Sequence, residues 1–265
     1  MLNNLSDKNS ISNIIAQNIR EEFNQKVANQ DYIDINLINF YIDEIKWLLE
    51  ERENKNLSTY FVRHGQTDRN LDKKMNPGDV DSVLNSTWID DSTEMWVLCV
   101  ENKINVDVII SSWLSRTKQT GEIIWNQIEE TQWTKIKYLE DTLLKEMFAW
   151  TLKDLSHEEL YKISWAKNST ELRVWYKNIQ NNWIESLEYF ELRVMIGIYK
   201  TLLDNKEKNI MYVGHSGTSR VYKRIIEWHS IEKTHYNLDS VPNSLVFELE
   251  LLNQKFSSIL DKEAA

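Results

Sequence analysis

The chain has 265 residues, a hydrophobic content of 42% and a net charge of −10. This length suggests one or two domains, and the hydrophobic content is sufficient for a packed core. The acidic balance argues against nucleic-acid binding, which needs clustered Lys and Arg, although a small positive pocket could still hold an anion. The single cysteine, Cys99, excludes an internal disulfide. The polar N-terminus lacks a secretory pattern and no apolar run approaches a membrane span, so we expect a cytoplasmic protein with no membrane partner.

Residues 1–57 are predicted to form an N-terminal helical extension. Apolar residues recur at spacings of three and four in segments 11–23 and 37–51, which indicates two amphipathic helices. These helices either pack on the rest of the protein or serve as an interaction arm. The polar segment 51–58 is the best candidate for a linker, so the main domain is expected to span 58–265.

From residue 58 onward, short apolar runs alternate with helical patterns. Runs rich in β-branched and aromatic residues predict buried parallel strands at 58–64, 106–112, 136–141 and 209–216. Helical periodicity lies between them, near 90–102 and at 115–128, 156–163, 187–203 and 217–228. A last apolar run, 244–252, predicts an edge strand. The alternation predicts an α/β sandwich with a mostly parallel central sheet.

Polar residues with chemical potential follow three of the predicted strands. His64 ends the first strand, Ser112 closes the second and His215 ends the fourth. Since the carboxyl ends of parallel strands share one edge of a sheet, these residues are expected to meet there. Arg63 adjoins the first histidine, and Arg116 lies one turn into the helix after the second strand. Arginine pairs bidentately with phosphate oxygens, so this set favours a phosphoryl group.

The same residues fall into five motifs in the order found in a known family. They are "RHGQTDRN" at 63–70, "DSVLNSTW" at 81–88, "SSWLSRTKQT" at 111–120, "LLKEMFAW" at 143–150 and "YVGHSGTSR" at 212–220. Together they resemble the histidine phosphatase superfamily, which includes the cofactor-dependent phosphoglycerate mutases. The resemblance covers residues 58 to about 250 and implies a three-layer α/β/α sandwich.

The resemblance also implies a mechanism. His64 would attack phosphorus and form a phosphohistidine, in a neutral form that Arg63 and Arg116 favour. Arg63, Arg116 and His215 would hold the phosphoryl oxygens. Glu146 would protonate the leaving oxygen and then activate water. This chemistry needs no metal ion or other cofactor, and no metal-ligand cluster is evident in the sequence.

Some of these assignments have alternatives nearby in the sequence. Glu146 matches the family's acid, but Glu140 and Asp141 precede it closely. Asn70 and Thr67 are candidates for substrate binding, yet either side chain could instead stabilise a turn.

The tryptophans depart from the family pattern. Trp88 and Trp150 stand where the family has glycine, and the chain has 11 tryptophans but only 6 glycines, against roughly 18–19 glycines expected. If these turns keep a left-handed backbone, tryptophan would be strained there. Our hypothesis is that the source organism reads a nominal stop codon as glycine at many of these positions; ordinary UGG codons at Trp88 and Trp150 would end it. Otherwise, Trp113 and Trp150 could narrow the pocket.

The sequence therefore predicts a metal-independent phosphomonoesterase that acts through a phosphohistidine on a small phosphorylated metabolite. The alternatives are phosphoglycerate mutase-type transfer, for which the longer substrate loops of that group are not evident, and a catalytically silent protein that binds a phosphorylated ligand. A homo-oligomer is possible.

Overall fold

A six-stranded sheet forms the centre of the protein. The computed structural model describes residues 35–88, 104–132, 135–168, 171–172, 175–176, 184–227, 241–243, 246–250 and 255–258. The strands are β1 (Thr59–Arg63), β2 (Val108–Ser111), β3 (Lys137–Glu140), β4 (Ile210–Gly214), β5 (Val246–Glu250) and β6 (Lys255–Ser258). The first four confirm the predicted strands to within two residues at either end.

The strand order is β3-β2-β4-β1-β5-β6. The first four strands in this order are parallel, while β5 and β6 pair antiparallel. The prediction that the last apolar run forms an edge strand is wrong, because β5 lies between β1 and β6. The short strand β6, which the sequence pattern did not reveal, returns antiparallel to β5 and takes the edge.

Helices cover both faces of the sheet and confirm the three-layer α/β/α sandwich. In the described part of the chain they are α1 (Ile35–Glu53), α2 (Asp68–Leu71), α3 (Ser115–Gln132), α4 (His157–Ser164), α5 (Leu187–Asp204) and α6 (Ser216–Glu227). The predicted helices at 11–23 and 90–102 lie outside the described residues. None of the helices described here has the length and apolar character needed to cross a membrane.

Alternating side chains of the strands feed two separate cores, as the period of two in a strand requires. On one face, Phe61, Ile110 and Tyr212 pack with apolar residues of α1, α5 and α6. On the other face, Val62 and Ile109 pack against α3. The central strands are buried on both faces, which explains their near-continuous apolar sequences.

The helix α1 belongs to the same core as the sheet. Its residues Ile38, Tyr41 and Ile45 are almost fully buried. At its C-terminal end, the buried Arg52 donates hydrogen bonds to Thr59 Oγ1 and to the backbone carbonyls of Ser58, Asn205 and Lys208. Arg52 falls within the predicted linker, so this segment carries a buried anchor that ties α1 to the start of β1 and β4.

Candidate active site

The carboxyl ends of the parallel strands meet at one edge of the sheet, as predicted. Arg63 of β1 is in register with Gly214 of β4, so the next residues, His64 and His215, are brought side by side. Their ring centroids lie 5.2 Å apart with an angle of 62° between the rings. Two residues that are distant in the sequence therefore form a buried pair of imidazoles.

The ring of His64 is held in one orientation by its own backbone neighbour. Its Nδ1 lies 2.7 Å from the carbonyl oxygen of Gly65. A carbonyl only accepts, so Nδ1 carries the proton and the Nε2 lone pair of the neutral ring is free to react. Burial lowers the pKa of His64 well below its usual value, and the charges of Arg116 and Arg63 lower it further. Burial is thus the larger cause of the shift, ahead of the two arginines that were expected to favour the neutral ring.

His215 is oriented by a pair of buried hydroxyl groups. Its Nε2 is 2.8 Å from Ser112 Oγ, which in turn is 2.7 Å from Thr117 Oγ1. These groups are fully buried. Burial lowers the pKa of His215 well below its usual value, with additional effects from Arg116 and His64. The two hydroxyl groups fix the imidazole plane and leave Nδ1 as its remaining polar atom.

Both predicted arginines lie close to the imidazoles. Arg63 donates through Nη1 to the carbonyl oxygen of Val241. The fully buried Arg116 donates through Nη1 and Nη2 to the carbonyls of Asn76, Pro77 and Val80. Burial lowers the pKa of Arg116 to about 10, opposed by the nearby Glu146 carboxylate. Arg116 therefore stays cationic at neutral pH while it pins the loop of residues 76–80 beside the site.

Three buried nitrogen atoms of this set have no hydrogen-bond partner in the described part of the chain. They are Arg63 Nε, Arg116 Nε and His215 Nδ1. Buried polar groups in native proteins are normally paired, so unpaired ones need an explanation. The two guanidinium N–H groups can only donate. Of these three residues, Arg63 lines the cavity beside His64, whereas Arg116 and His215 are fully buried and are not among the lining residues.

Glu146 lines the same cavity and is held at the start of α6. Its Oε2 accepts from the backbone N–H of Gly217, at the start of α6, and its Oε1 accepts from the N–H of Met147, both at 2.9 Å. The carboxylate therefore faces the positive end of a helix dipole. A Cβ atom added to Gly217 would lie 2.1 Å from Glu146 Oε1, so only glycine allows this approach.

A buried ion pair that the sequence did not predict holds the segment carrying Glu146. Arg193 contacts both carboxylate oxygens of Glu185, at 2.7 and 2.9 Å. The same guanidinium donates to the carbonyls of Leu143, Lys145 and Glu146, while Glu185 accepts from the N–H of Phe148. An arginine inside the apolar sequence of α5 was the available signal.

The alternatives to Glu146 are engaged elsewhere. Asp141 is buried and caps a 3₁₀ turn by accepting from the N–H of Leu143. Glu140 pairs with Lys118 at 3.0 Å on the edge strand β3. Among the described acidic residues of this region, the cavity lining therefore includes Glu146 but neither of the other two.

Asn70 and Thr67 belong to one capping box at the start of α2. The Thr67 hydroxyl bonds with Asn70 Oδ1 and accepts from Asn70 N and Asn76 Nδ2. Asn70 lines the cavity, whereas Thr67 is fully buried and is not part of the lining. The structure therefore places Asn70 at the surface of the cavity and Thr67 in the turn that supports it.

A short segment after α6 also closes over the first motif. Asn243 Nδ2 donates to the carbonyl oxygen of His64 at 2.5 Å, and Val241 accepts from Arg63 as described above. Asn243 lines the cavity. No pattern in the sequence marks this residue, because its position depends on how the segment returns to the sheet edge.

The tryptophans differ from expectation. Trp88 does not have a positive φ, and Trp150 begins a 3₁₀ helix, so the left-handed strain predicted at these two positions is wrong. Trp88 is buried with its indole against Gly65, where an added Cβ would lie 1.9 Å from the ring. Trp113 is exposed under the ammonium groups of Lys145 and Lys118 and does not line the cavity.

The cavity at this sheet edge has a volume of about 550 Å³. Among its lining residues are Arg63, His64, Asn70 and Glu146, which we call the polar floor. A volume of this size accommodates a small organic molecule. The arrangement offers a nucleophilic imidazole, cationic donors and a carboxyl group around one position, which suits transfer of a phosphoryl group.

Comparison with known proteins agrees with this chemistry. The model of the histidine phosphatase superfamily (branch 1) matches residues 59–258, so the chain belongs to this superfamily. The broad-specificity phosphatase YOR283W of Saccharomyces cerevisiae is 21% identical over 192 residues, which cover 71% of this chain and 77% of that protein.

Solved structures share the fold at low sequence identity. YhfR of Bacillus stearothermophilus superposes with a TM-score of 0.61 at 16% identity, covering 76% of this chain and 95% of its own. A putative α-ribazole-5′-P phosphatase from Escherichia coli gives a TM-score of 0.60 at 17% identity, covering 76% and 96% of the two chains.

Proposed function

We propose that the protein is a phosphomonoesterase that acts through a phosphohistidine formed on His64. The observation that carries the proposal is the pair of His64 and His215 at the ends of adjacent strands, with Arg63 and Arg116 close enough to lower the pKa of His64 and with the Nε2 lone pair of His64 free. The relatives support the reaction class, since the yeast relative is a broad-specificity phosphatase. Guanidinium groups rather than a metal ion neutralise the phosphoryl charge in this proposal.

In the first step, the His64 Nε2 lone pair forms a bond to phosphorus while the bond from phosphorus to the ester oxygen breaks. Glu146 donates its proton to the departing oxygen, so an alcohol leaves. The hydrogen bond from Nδ1 to Gly65 stabilises the positive charge that the ring acquires. Covalent catalysis of this kind replaces one difficult displacement by two easier ones.

In the second step, a water molecule attacks phosphorus and Glu146 removes its proton. The bond from phosphorus to Nε2 breaks, the electron pair returns to His64 and inorganic phosphate leaves. Throughout both steps, Arg63 and Arg116 stabilise the negative charge on the phosphoryl oxygens, and a proton on His215 Nδ1 would add a third donor. That proton is present if Ser112 donates to Nε2 of the neutral ring, a geometry that the 2.8 Å contact allows.

The test uses ethyl phosphate as a small generic ester, with released phosphate as the measurement. A ³²P-labelled ester should leave label on the denatured protein that survives alkali and is lost in acid, the behaviour of a phosphohistidine. We expect His64→Ala to lose the label and to lower kcat/KM by at least about 10³-fold. His229→Ala, at a histidine that no motif includes, is the control and should keep both.

The rival functions give different results in the same assay. A mutase would take label from a bisphosphorylated glycerate and return it to the isomeric product with little phosphate release. A silent binding protein would bind orthovanadate or phosphate without turnover of any ester. Either result would overturn the proposed hydrolase, and a label that persists in His64→Ala would overturn the assigned nucleophile.

A further inference from the structure

The cavity has a second wall that the proposed chemistry does not use. Besides the polar floor, the lining includes apolar and aromatic side chains, which we call the apolar wall: Met75, Tyr161, Leu172, Tyr176, Leu187 and Phe190. In the proposed function, the phosphoryl group lies at the polar floor, next to His64 and Arg63. The alcohol part of the ester must therefore extend towards this second wall.

A separate small core supports the apolar wall. Leu160, Leu172 and Ile184 are buried in a cluster distinct from the two cores of the sheet, and Met75, Tyr161 and Tyr176 pack against it. Tyr176 also contacts the sulfur of Met75 at 4.0 Å. The wall is thus a packed surface on the described residues rather than a set of isolated side chains, and it can bury an apolar group without first being ordered.

The basic residues near this wall are engaged by neighbouring groups. Lys74 reaches Asp72 at 3.4 Å, and Arg220 Nη1 lies 3.4 Å from the carbonyl oxygen of Ser216. Burial lowers the pKa of His157, which favours its neutral form. Among the described lining residues, we therefore expect an anion to bind at the cationic residue of the polar floor, Arg63, rather than at these basic residues near the wall. A second charged group on the substrate would face a wall that offers it little compensation.

We infer that the site is specific for phosphate monoesters of apolar, ring-bearing alcohols and discriminates against alcohols that carry a second anionic group. The inference rests on the proposed function, because it assumes that the phosphoryl group occupies the floor. Burying a phenyl ring against a wall of this kind favours binding by tenfold or more. Removing a carboxylate from water without a partner has the opposite effect.

Three esters of primary alcohols test the inference, because their leaving groups have similar structures near phosphorus. They are ethyl phosphate, 2-phenylethyl phosphate and 3-phosphoglycerate. We expect kcat/KM for 2-phenylethyl phosphate to exceed that for ethyl phosphate by about tenfold, and that for 3-phosphoglycerate to lie below both. Aryl phosphates are avoided, since a phenol leaves more readily than an alcohol whatever the enzyme contacts.

Variants of the wall locate the effect. Tyr161→Ala and Tyr176→Ala should each lower the ratio of kcat/KM for 2-phenylethyl phosphate over ethyl phosphate by about threefold or more. Ile163→Ala is the matched control, since Ile163 lies on the same helix as Tyr161, is 48% exposed and does not line the cavity. Turnover of ethyl phosphate serves as the internal reference for correct folding.

The possible outcomes separate this inference from the proposed function. If none of the three esters is hydrolysed, the proposed function fails. If ethyl phosphate is hydrolysed but 3-phosphoglycerate is preferred, or if all three react within about twofold, the phosphatase stands and the apolar specificity is overturned. Tyrosine variants that leave the ratio unchanged would also overturn it, because the wall would then not contact the alcohol.

Discussion

The two halves of the candidate site are built in different ways. His64 and His215 follow adjacent parallel strands whose register places Arg63 beside Gly214. Glu146, by contrast, lies on an irregular segment between two 3₁₀ turns. The histidines are positioned by the hydrogen-bond ladder of the sheet, whereas the acid is positioned by side chains that belong to other elements.

This difference makes the two halves unequal in their dependence on distant residues. The backbone N–H of His64 bonds to the carbonyl oxygen of Gly214 at 2.9 Å, so the strand pairing continues into the site itself. The Arg193 guanidinium donates to the carbonyl oxygens of Lys145 and Glu146. The N–H of Gly217 donates to the Glu146 carboxylate. Substitutions outside the cavity are therefore expected to disturb the acid more than the histidines.

The largest effect is expected when the buried ion pair is broken. Arg193→Met leaves the buried Glu185 carboxylate without its partner and frees the carbonyls of residues 143–146. We expect a loss of about 3–5 kcal/mol in the free energy of unfolding, measured by urea denaturation. At urea concentrations too low to unfold the protein, kcat should also be lower than in the wild type, because Arg193 no longer holds the backbone around Glu146.

The exposed pair Lys162–Glu158 provides the matched control for that change. Both side chains are more than two-thirds exposed, at 70% and 78%. Lys162→Met should leave the free energy of unfolding almost unchanged, because an exposed ion pair contributes little to stability. Equal losses in the two variants would contradict the claim that the Arg193 pair organises the acid half.

A smaller and more local effect is expected at Gly217. The added methyl group of Gly217→Ala would lie 2.1 Å from Glu146 Oε1 and push the carboxylate away from the helix start. We expect kcat for ethyl phosphate to fall by about 10–100-fold with labelling of His64 impaired less than release of the label.

Gly121→Ala is the control for Gly217→Ala. Gly121 also lies in a helix and has a tight contact, with the Tyr138 hydroxyl at 2.7 Å from an added Cβ, but it does not touch Glu146. This variant should lose stability and keep kcat. A Gly217→Ala enzyme with unchanged kcat would show that the position of Glu146 does not matter for turnover.

His64 and His215 are expected to affect how the stability of the protein depends on pH. Folding lowers the pKa values of His64 and His215, so below about pH 6.5 the unfolded chain binds protons that the folded protein does not. Their contribution to stability is complete above pH 6.5 and is lost as the pH falls, by at most about 1.4 kcal/mol per pH unit for each histidine.

Urea denaturation of the wild type and of His215→Asn between pH 5 and 8 isolates this effect. The variant should show a shallower decline of the free energy of unfolding towards acidic pH. The acidic limb of kcat/KM in the wild type should correspondingly lie below pH 6.5, since His64 stays neutral there. Parallel stability curves in the two proteins would contradict the assigned protonation states.

The smallest effect is expected at Trp165, in the region of the apolar wall. Trp165 ends α4 with φ of 58° and is 88% exposed, which is the left-handed position that glycine favours at helix ends. Trp165→Gly should stabilise the protein by about 1 kcal/mol by removing the Cβ contact. Trp165→Ala keeps the Cβ and should give no such gain; equal effects would point to the exposed ring instead of the backbone.

Trp165 also bears on the hypothesis that some tryptophans are glycines in the source organism. The sequence drew attention to Trp88 and Trp150, neither of which adopts the left-handed conformation. Trp165 does, although no motif includes it. Sequence motifs located family positions, but only the backbone angles showed where a side chain is strained.

The sequence determined the parallel strands, the helices between them and the histidines and arginines at the strand ends. These follow from local periodicity and from the rule that parallel strands share a carboxyl edge. It could not determine the Glu185–Arg193 pair, Asn243 or the approach of Glu146 to Gly217, since these depend on contacts between segments far apart in the chain. It also missed β6, whose pairing with β5 depends on the return of the chain rather than on its own composition. Local sequence patterns determined the helices, the strands and the residues at the strand ends. Long-range packing determined how Glu146 and the apolar wall are held against those residues.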